Sequence, residues 1–223
     1  MTATPDRPTR LVVIRHAPTP WNVAKRLQGH SDIALDATGR KTALGWREGA
    51  ALWADWRLLA SPLRRARETA ELLFPGRLLT IEPRLIEMSF GDWEGKTLAA
   101  LRDVPGADVN ERETLGLDFH APGGESPRQV QQRLRPLLRE IATSKRDTVW
   151  ICHKAVLRAL YALAIGWDMK AKPPQKLQFG CAHLFTLGAD GVPHLDQLNL
   201  PLQKPGPALP KLRPAAKQKS GEP

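Results

Sequence analysis

Short apolar runs alternate along the chain with amphipathic stretches of helical period. The run Leu11-Val12-Val13-Ile14 is continuous and rich in β-branched residues. It lacks the polar alternation of a half-exposed strand, so it predicts a strand buried on both faces. Residues 57–60 and 148–152 have the same character, and 182–187 and 192–198 predict a later pair of strands around a turn at Asp190-Gly191. Between them the period changes to that of helices. Thr38 is placed to cap a helix running to about residue 54. Ser61 followed by Pro62 predicts an N-cap with proline at the first helical position, opening a helix to about residue 73. Ser126-Pro127-Arg128-Gln129 has the form of a capping box, and Val130, Leu134, Leu137, Leu138 and Ile141 behind it form one apolar stripe. Pro136 lies inside that stripe and is expected to bend the helix. Residues 155–165 are mostly apolar and stop before Gly166, which predicts a further helix. Strands separated by helices define an α/β protein, a three-layer α/β/α sandwich with a largely parallel central sheet.

Composition narrows the setting. A chain of 223 residues suits one domain with a sizeable core. No apolar run approaches the roughly 18 residues a membrane span needs, and nothing hydrophobic precedes Leu11, so neither a membrane segment nor a signal peptide is expected. Cys152 and Cys181 are too few for a disulfide framework, which fits a reducing, cytoplasmic location. His30, His120, His183 and His194 show no metal-binding spacing.

The net charge of +10 first suggests a polyanionic partner. Its distribution changes that reading. Residues 204–223 are Pro- and Lys-rich without apolar period and are expected to be a disordered basic tail; Lys204, Lys211, Arg213, Lys217 and Lys219 face only Glu222 there. Residues 1–10, expected to be a flexible N-terminus, carry Arg7 and Arg10 against Asp6. About half of the charge therefore lies outside the predicted domain of residues 11–203. Within it, the segment 103–125 is acidic and rich in Gly and Pro, with six carboxylates against Arg112, and is expected to form a lid or specificity segment. The basic groups lack the interleaved aromatics of a nucleic-acid surface.

The chemistry sits where the strands stop. The first predicted strand runs into Arg15-His16, the second into Ser61-Pro62 and a helix whose first turn carries Arg64 and Arg65, and the third into His153-Lys154. Open α/β sheets bind ligands outside the carboxyl ends of their strands, where helix N-termini add N–H donors. Histidines, arginines and helix starts gathered at one sheet edge suit a phosphoryl group. By its place at the helix start Arg64 is selected for anion binding, with Arg65 and Arg67 expected to be structural. Among the nearby carboxylates Glu87, Asp92 and Glu94 are equal candidates for an acid. Trp21 and Trp93 are candidates to line the pocket, and the other tryptophans to pack.

The same residues carry a resemblance. Arg15-His16-Ala17-Pro18-Thr19 resembles the RHxxT signature of the histidine phosphatase superfamily, phosphoglycerate mutase-like branch. Trp21-Asn22, the 27–32 segment LQGHSD, the 35–40 segment LDATGR, the 61–70 segment SPLRRARETA, the 87–95 segment EMSFGDWEG, the 122–126 segment PGGES and Cys152-His153-Lys154-Ala155-Val156 follow in the family's order. The chain departs from the pattern at Ala17-Pro18, where Gly-Glu is common, and at Lys154, where glycine is usual. The resemblance implies a phosphoglycerate mutase-like fold and a phosphatase that needs neither cofactor nor metal. It makes His16 the nucleophile, selects Glu87 as acid/base, and places Arg15, Arg64 and His153 around the phosphoryl oxygens. Asn22, Gln28, Gly29 and Lys154 are the further substrate-binding candidates. The short spacing from Glu87 to His153, and a sole tyrosine at Tyr161, look more like phosphatases of the α-ribazole or broad-specificity type than like mutases. The expected partner is a small phosphorylated substrate, with no nucleic acid, no membrane and at most a second copy of the chain as a homodimer. Mutase-type phosphoryl transfer is the alternative enzyme reading. A non-catalytic anion- or nucleic-acid-binding protein is the alternative of another class.

Overall fold

The apolar run at 11–14 lies inside a six-stranded sheet. In the structure, a computed structural model that describes residues 7–203, this run forms β1 (Thr9–Arg15). A one-turn helix α1 (Pro20–Val23), the longer α2 (Ala37–Ala50), β2 (Arg57–Ala60), α3 (Arg64–Leu73) and the short strand β3 (Leu79–Ile81) follow. Two short helices, α4 (Leu98–Arg102) and α5 (Val109–Glu113), precede the long α6 (Pro127–Ser144). β4 (Thr148–Cys152), α7 (Lys154–Ile165), β5 (Cys181–Leu187) and β6 (Pro193–Pro201) complete the order. The sheet runs β3-β2-β4-β1-β5-β6. Its first four strands are parallel neighbours, and β5 and β6 continue it antiparallel.

The two-residue period of β1 builds the layers. Val12 and Ile14 pack with Ala43, Trp46 and Ala66 of α2 and α3 on one face, and Leu11 and Val13 with Leu134, Leu138 and Leu160 of α6 and α7 on the other. This is the expected three-layer sandwich. Trp150 of β4 is fully buried at its centre, and cutting it to alanine would cost about 3–5 kcal/mol.

Local signals explain most element ends. In α6, Ser126 Oγ accepts from Gln129 N–H and Gln129 Oε1 accepts from Ser126 N–H, with Pro127 in the first turn. α7 ends on Gly166 with φ of 69°, in the left-handed region that glycine enters without penalty. Other boundaries differ from expectation. Asp36 rather than Thr38 caps α2, its Oδ1 accepting from Gly39 N–H at 2.7 Å. α3 starts at Arg64, and its first N–H is met by Asp32 Oδ1 at 2.6 Å rather than by Ser61. β1 begins at Thr9, so the flexible N-terminus expected through residue 10 is too long: the guanidinium and backbone N–H of Arg10 both bind Asp147. The expected tail from residue 204 lies outside the described residues. The acidic 103–125 segment is more ordered than its composition suggested. It contains α5, and Val109 and Ala121 pack with Trp93 and Leu101 in a small satellite core. Among the described residues, no helix is long and apolar enough to cross a membrane.

Candidate active site

Parallel pairing brings three strand ends together. β1 and β4 are in register with Arg15 opposite Cys152, and His16 N–H donates to Cys152 O at 2.9 Å. On the other side of β4, Ser61 N–H donates to Ile151 O at 3.0 Å. His16 and His153 thus leave the sheet as neighbours, with ring centroids 5.2 Å apart.

Each imidazole has a defined hydrogen-bonding role. His16 Nδ1 lies 2.7 Å from Ala17 O. A carbonyl only accepts, so Nδ1 carries the proton and Nε2 keeps its lone pair. Burial above all, then the charges of Arg15 and Arg65, hold His16 well below the usual imidazole range, against the opposing pull of the Ala17 bond. His153 is lowered in the same way, by burial first and then by Arg65, His16 and Arg15. Its Nδ1 accepts from Arg65 Nε at 3.3 Å, so its Nε2 donates to Ser61 Oγ at 2.7 Å. Ser61, expected as a helix cap, instead holds the second histidine.

The arginine at this floor is Arg65, and Arg64 is not. Arg65 is fully buried and donates to Ser31 O at 2.7 Å and to Gly29 O at 2.8 Å. The Arg64 side chain is 52% exposed and faces Glu68 at 3.6 Å, an i,i+4 pair on the outer face of α3. The helix start thus points to the neighbour of the buried residue, and nothing local separates the two, because Glu68 lies four residues after Arg64 and three after Arg65, both pairing distances on a helix. The loop that receives Arg65 is itself tied down. Glu94 accepts from His30 N–H, Ser31 N–H, Ser31 Oγ and Phe90 N–H. Burial opposes its ionisation, but these donors outweigh it and hold Glu94 below the usual carboxylate range. Gly29 has φ of 48°, and a Cβ there would lie 2.0 Å from Glu94 Oε1, so only glycine fits.

Glu87 is 7% exposed at the start of α7. Its Oε1 accepts from Met88 N–H at 3.0 Å and from Ala155 N–H, in the first turn of α7, at 3.2 Å. Its backbone is fixed from two sides. His30 Nε2 bonds Glu87 O at 2.9 Å, while Arg133 of α6 donates to Arg84 O and Ile86 O and pairs with Glu125. Of the other carboxylates weighed from sequence, Glu94 is a loop clamp, as above.

The remaining predicted contacts divide. Asn22 forms a capping box with Thr19, and Gln28 Oε1 accepts from Thr19 Oγ1 at 3.0 Å, so both brace the loop after His16. Trp93 is 3% exposed in the satellite core and does not line the pocket. Arg15 and Lys154 border a cavity of about 550 Å³ whose wall also includes Arg158, Trp167, Lys176 and Phe179. No residue of 103–125 lines this cavity. That segment touches the wall from behind, Leu117 N–H donating to Asp168 O at 3.0 Å. The sequence reading missed Arg158, Lys176 and Phe179, which come together only through the loop between α7 and β5. Among the described residues, no cluster of three His, Cys, Asp or Glu is arranged to hold a metal ion.

Two neutral histidines flanked by the buried Arg65 and the half-buried Arg15 at parallel strand ends define a site for phosphoryl chemistry. The profile described as histidine phosphatase superfamily (branch 1) spans residues 11–200, and the chain belongs to that family, an enzyme class that hydrolyses phosphate monoesters. The chain is 36% identical over 169 residues to the glucosyl-3-phosphoglycerate phosphatase of Mycobacterium tuberculosis strain CDC 1551 / Oshkosh, covering 70% of this chain and 75% of that one. It is 27% identical over 162 residues to the probable phosphoglycerate mutase GpmB of Salmonella paratyphi C, with the same coverage of 70% and 75%. The solved structure of a mycobacterial glucosyl-3-phosphoglycerate phosphatase in complex with VO3 superposes with a TM-score of 0.73 at 30% identity, covering 86% of this chain and 99% of that chain.

Proposed function

We propose that the chain hydrolyses a small phosphate monoester through a phosphohistidine on His16. The observation that carries this reading is the His16 tautomer: a buried, neutral imidazole whose Nδ1–H is spent on Ala17 O and whose Nε2 lone pair is free beside two arginines. In the first step Nε2 attacks phosphorus, the P–O ester bond breaks, and protonated Glu87 gives its proton to the departing oxygen. In the second step the Glu87 carboxylate takes a proton from water, the hydroxide attacks phosphorus, and the N–P bond breaks to return neutral His16 and inorganic phosphate. Arg15, Arg65 and His153 hold the non-bridging oxygens and stabilise the charge of both transition states. When a phosphoryl oxygen displaces the long Arg65–His153 contact, Arg65 Nε is free to donate to it, and His153 donates through Nδ1 in its other tautomer, with the Ser61 hydroxyl then donating to Nε2.

Support for Glu87 as the proton carrier is its position on Ala155 N–H, two residues after His153, with its main chain held by His30 and Arg133. A relative named as a probable phosphoglycerate mutase keeps phosphoryl transfer between hydroxyls as the rival outcome. The test is rapid acid-free quenching after mixing with a phosphorus-labelled ester, beside His16→Ala and Glu87→Gln. Wild type is expected to hold label on protein and release phosphate. His16→Ala should do neither, and Glu87→Gln should slow both steps. Labelled, active His16→Ala would overturn the reading, and transfer to a second hydroxyl without phosphate release would replace hydrolysis by mutase chemistry.

A further inference from the structure

The cavity beyond Arg15 holds more positive charge than the phosphoryl reaction uses. Its volume of about 550 Å³ falls within the usual range of small-molecule sites, roughly 300–1,000 Å³. Lys154, Arg158 and Lys176 join Arg15 in its wall, and no carboxylate does. Several surface arginines elsewhere are matched, Arg84 with Glu140, Arg102 with Glu113 and Arg128 with Asp118. Among the described residues, no ion pair engages Lys154, Arg158 or Lys176. Arg15 Nε is buried with no hydrogen-bond partner at all. Unpaired like charges beside an apolar wall repel one another and oppose folding. Burial, then Arg15 and Arg158, lower the Lys154 ammonium against the opposing pull of Glu87.

The wall is built rather than loose. Asn199, with φ of 61°, accepts from Gln178 N–H at 2.7 Å and donates to Lys176 O at 3.0 Å, and the Tyr161 hydroxyl accepts from Gln175 N–H at 3.3 Å. Two aromatic faces stand among the cations, with the Arg158 guanidinium 5.1 Å from the Trp167 ring centre and that of Arg15 5.4 Å from Phe179.

We propose that this cavity is a second-anion subsite. The substrate is then a phosphate monoester that carries another anionic group, a carboxylate or a second phosphate. Lys154, Arg158 and Lys176 take that group, and the carbon skeleton between lies against Phe179 and Trp167. The assignment rests on His16 as the phosphoryl acceptor, and Arg15 connects the two halves of the site.

Steady-state rates on two matched pairs test it: carboxyphenyl phosphate against phenyl phosphate, and a sugar bisphosphate against the sugar monophosphate. In each pair that fits, kcat/KM for the doubly anionic ester should exceed its partner by about tenfold, mainly through KM, the size of one charge-assisted contact. The pair with the larger ratio tells carboxylate from phosphate. Lys154→Gln combined with Lys176→Gln should bring the ratio to within about twofold of unity. Ratios near unity in wild type, or ratios unchanged in the variant, overturn the subsite while phosphate release from phenyl phosphate upholds the phosphatase. Absence of release from every ester by folded protein overturns both. The wild-type ratios decide the matter even where the double variant fails to fold.

Discussion

The floor of the site and its outer wall are made from the same basic residue types, treated in opposite ways. On the floor each polar group has a stated partner: His16 has Ala17, His153 has Ser61 and Arg65, Arg65 has Gly29 and Ser31, and Glu87 has the start of α7. On the wall, Lys154, Arg158 and Lys176 stand without a carboxylate. A satisfied network fixes geometry, which a chemical step needs because its atoms must be placed before charge develops. An unsatisfied set of cations stores attraction for an anion that arrives, which is what recognition needs. Arg15 takes part in both, since its charge acts on His16 while its Nε is left open.

The contrast breaks first at Arg65. Arg65→Met removes a buried floor cation together with the donor to His153 Nδ1, and kcat/KM should fall by about 10²–10³, as for loss of one transition-state donor. Arg64→Met removes an exposed charge paired with Glu68 and should cost less than about threefold. Equal losses in the two variants would mean that the floor extends to the face of α3 that is turned to solvent.

The wall has its own anchor, and pH addresses it. His183 is buried on β5, its Nδ1 accepts from Asn199 N–H at 3.4 Å, and burial pushes it down to about 4 from 6.5. Between those values the unfolded chain binds more protons than the folded one. Stability from this group is therefore complete above about pH 6.5 and is lost as pH falls towards 4. The loss approaches about 3 kcal/mol. His16 and His153 are lowered too and act in the same direction. Melting temperatures from pH 7 to pH 4.5 should fall steeply in wild type and less steeply in His183→Phe. Parallel slopes would place the acid sensitivity in the floor histidines instead.

A smaller break is available behind Glu87. Arg133→Met frees the carbonyls of Arg84 and Ile86 and leaves Glu125 unpaired, so kcat should drop by about tenfold. As a positioning residue, Arg133 should lower kcat while leaving KM within about twofold, a split that a general loss of structure would not give.

The floor was largely legible in the sequence and the wall was not. His16, Arg15 and His153 follow strands whose continuous apolar runs announce themselves, and parallel strands end at a common edge whatever the loops do. Glu87 needed a family pattern, because nothing local separates it from Asp92 and Glu94. Arg64 and Arg65 are neighbours with the same side chain, and only tertiary burial tells them apart. The three residues of β3 were too few to show a period. Lys176 and Phe179 lie in a loop with no pattern, and they reach Lys154 and Arg158 only because Asn199, from the last strand, and Tyr161, from α7, tie that loop down. The 103–125 segment, irregular and rich in Gly and Pro in the sequence, has order that only the structure shows: its ionic groups are partly matched by Arg102 and Arg128, and its apolar residues pack inward.

The mildest test asks how firmly that segment braces the wall. Gly116 has φ of 59°, and a Cβ there would lie 2.3 Å from Asp168 O and 2.8 Å from Lys170 Cγ. Gly116→Ala therefore adds left-handed strain of about 1–2 kcal/mol and pushes on the backbone just ahead of the cavity wall. The melting point should fall by a few degrees, at about 2–4 °C per kcal/mol for a chain of this size. The preference for doubly over singly anionic esters should weaken by about twofold, as a displaced cation loses part of one charge-assisted contact. Phosphate release from phenyl phosphate should change less than that preference, because no floor residue touches Gly116. A lower melting point with the preference intact would show that Asn199 and Tyr161 suffice to hold the wall, and that the 103–125 segment only covers the core beneath it.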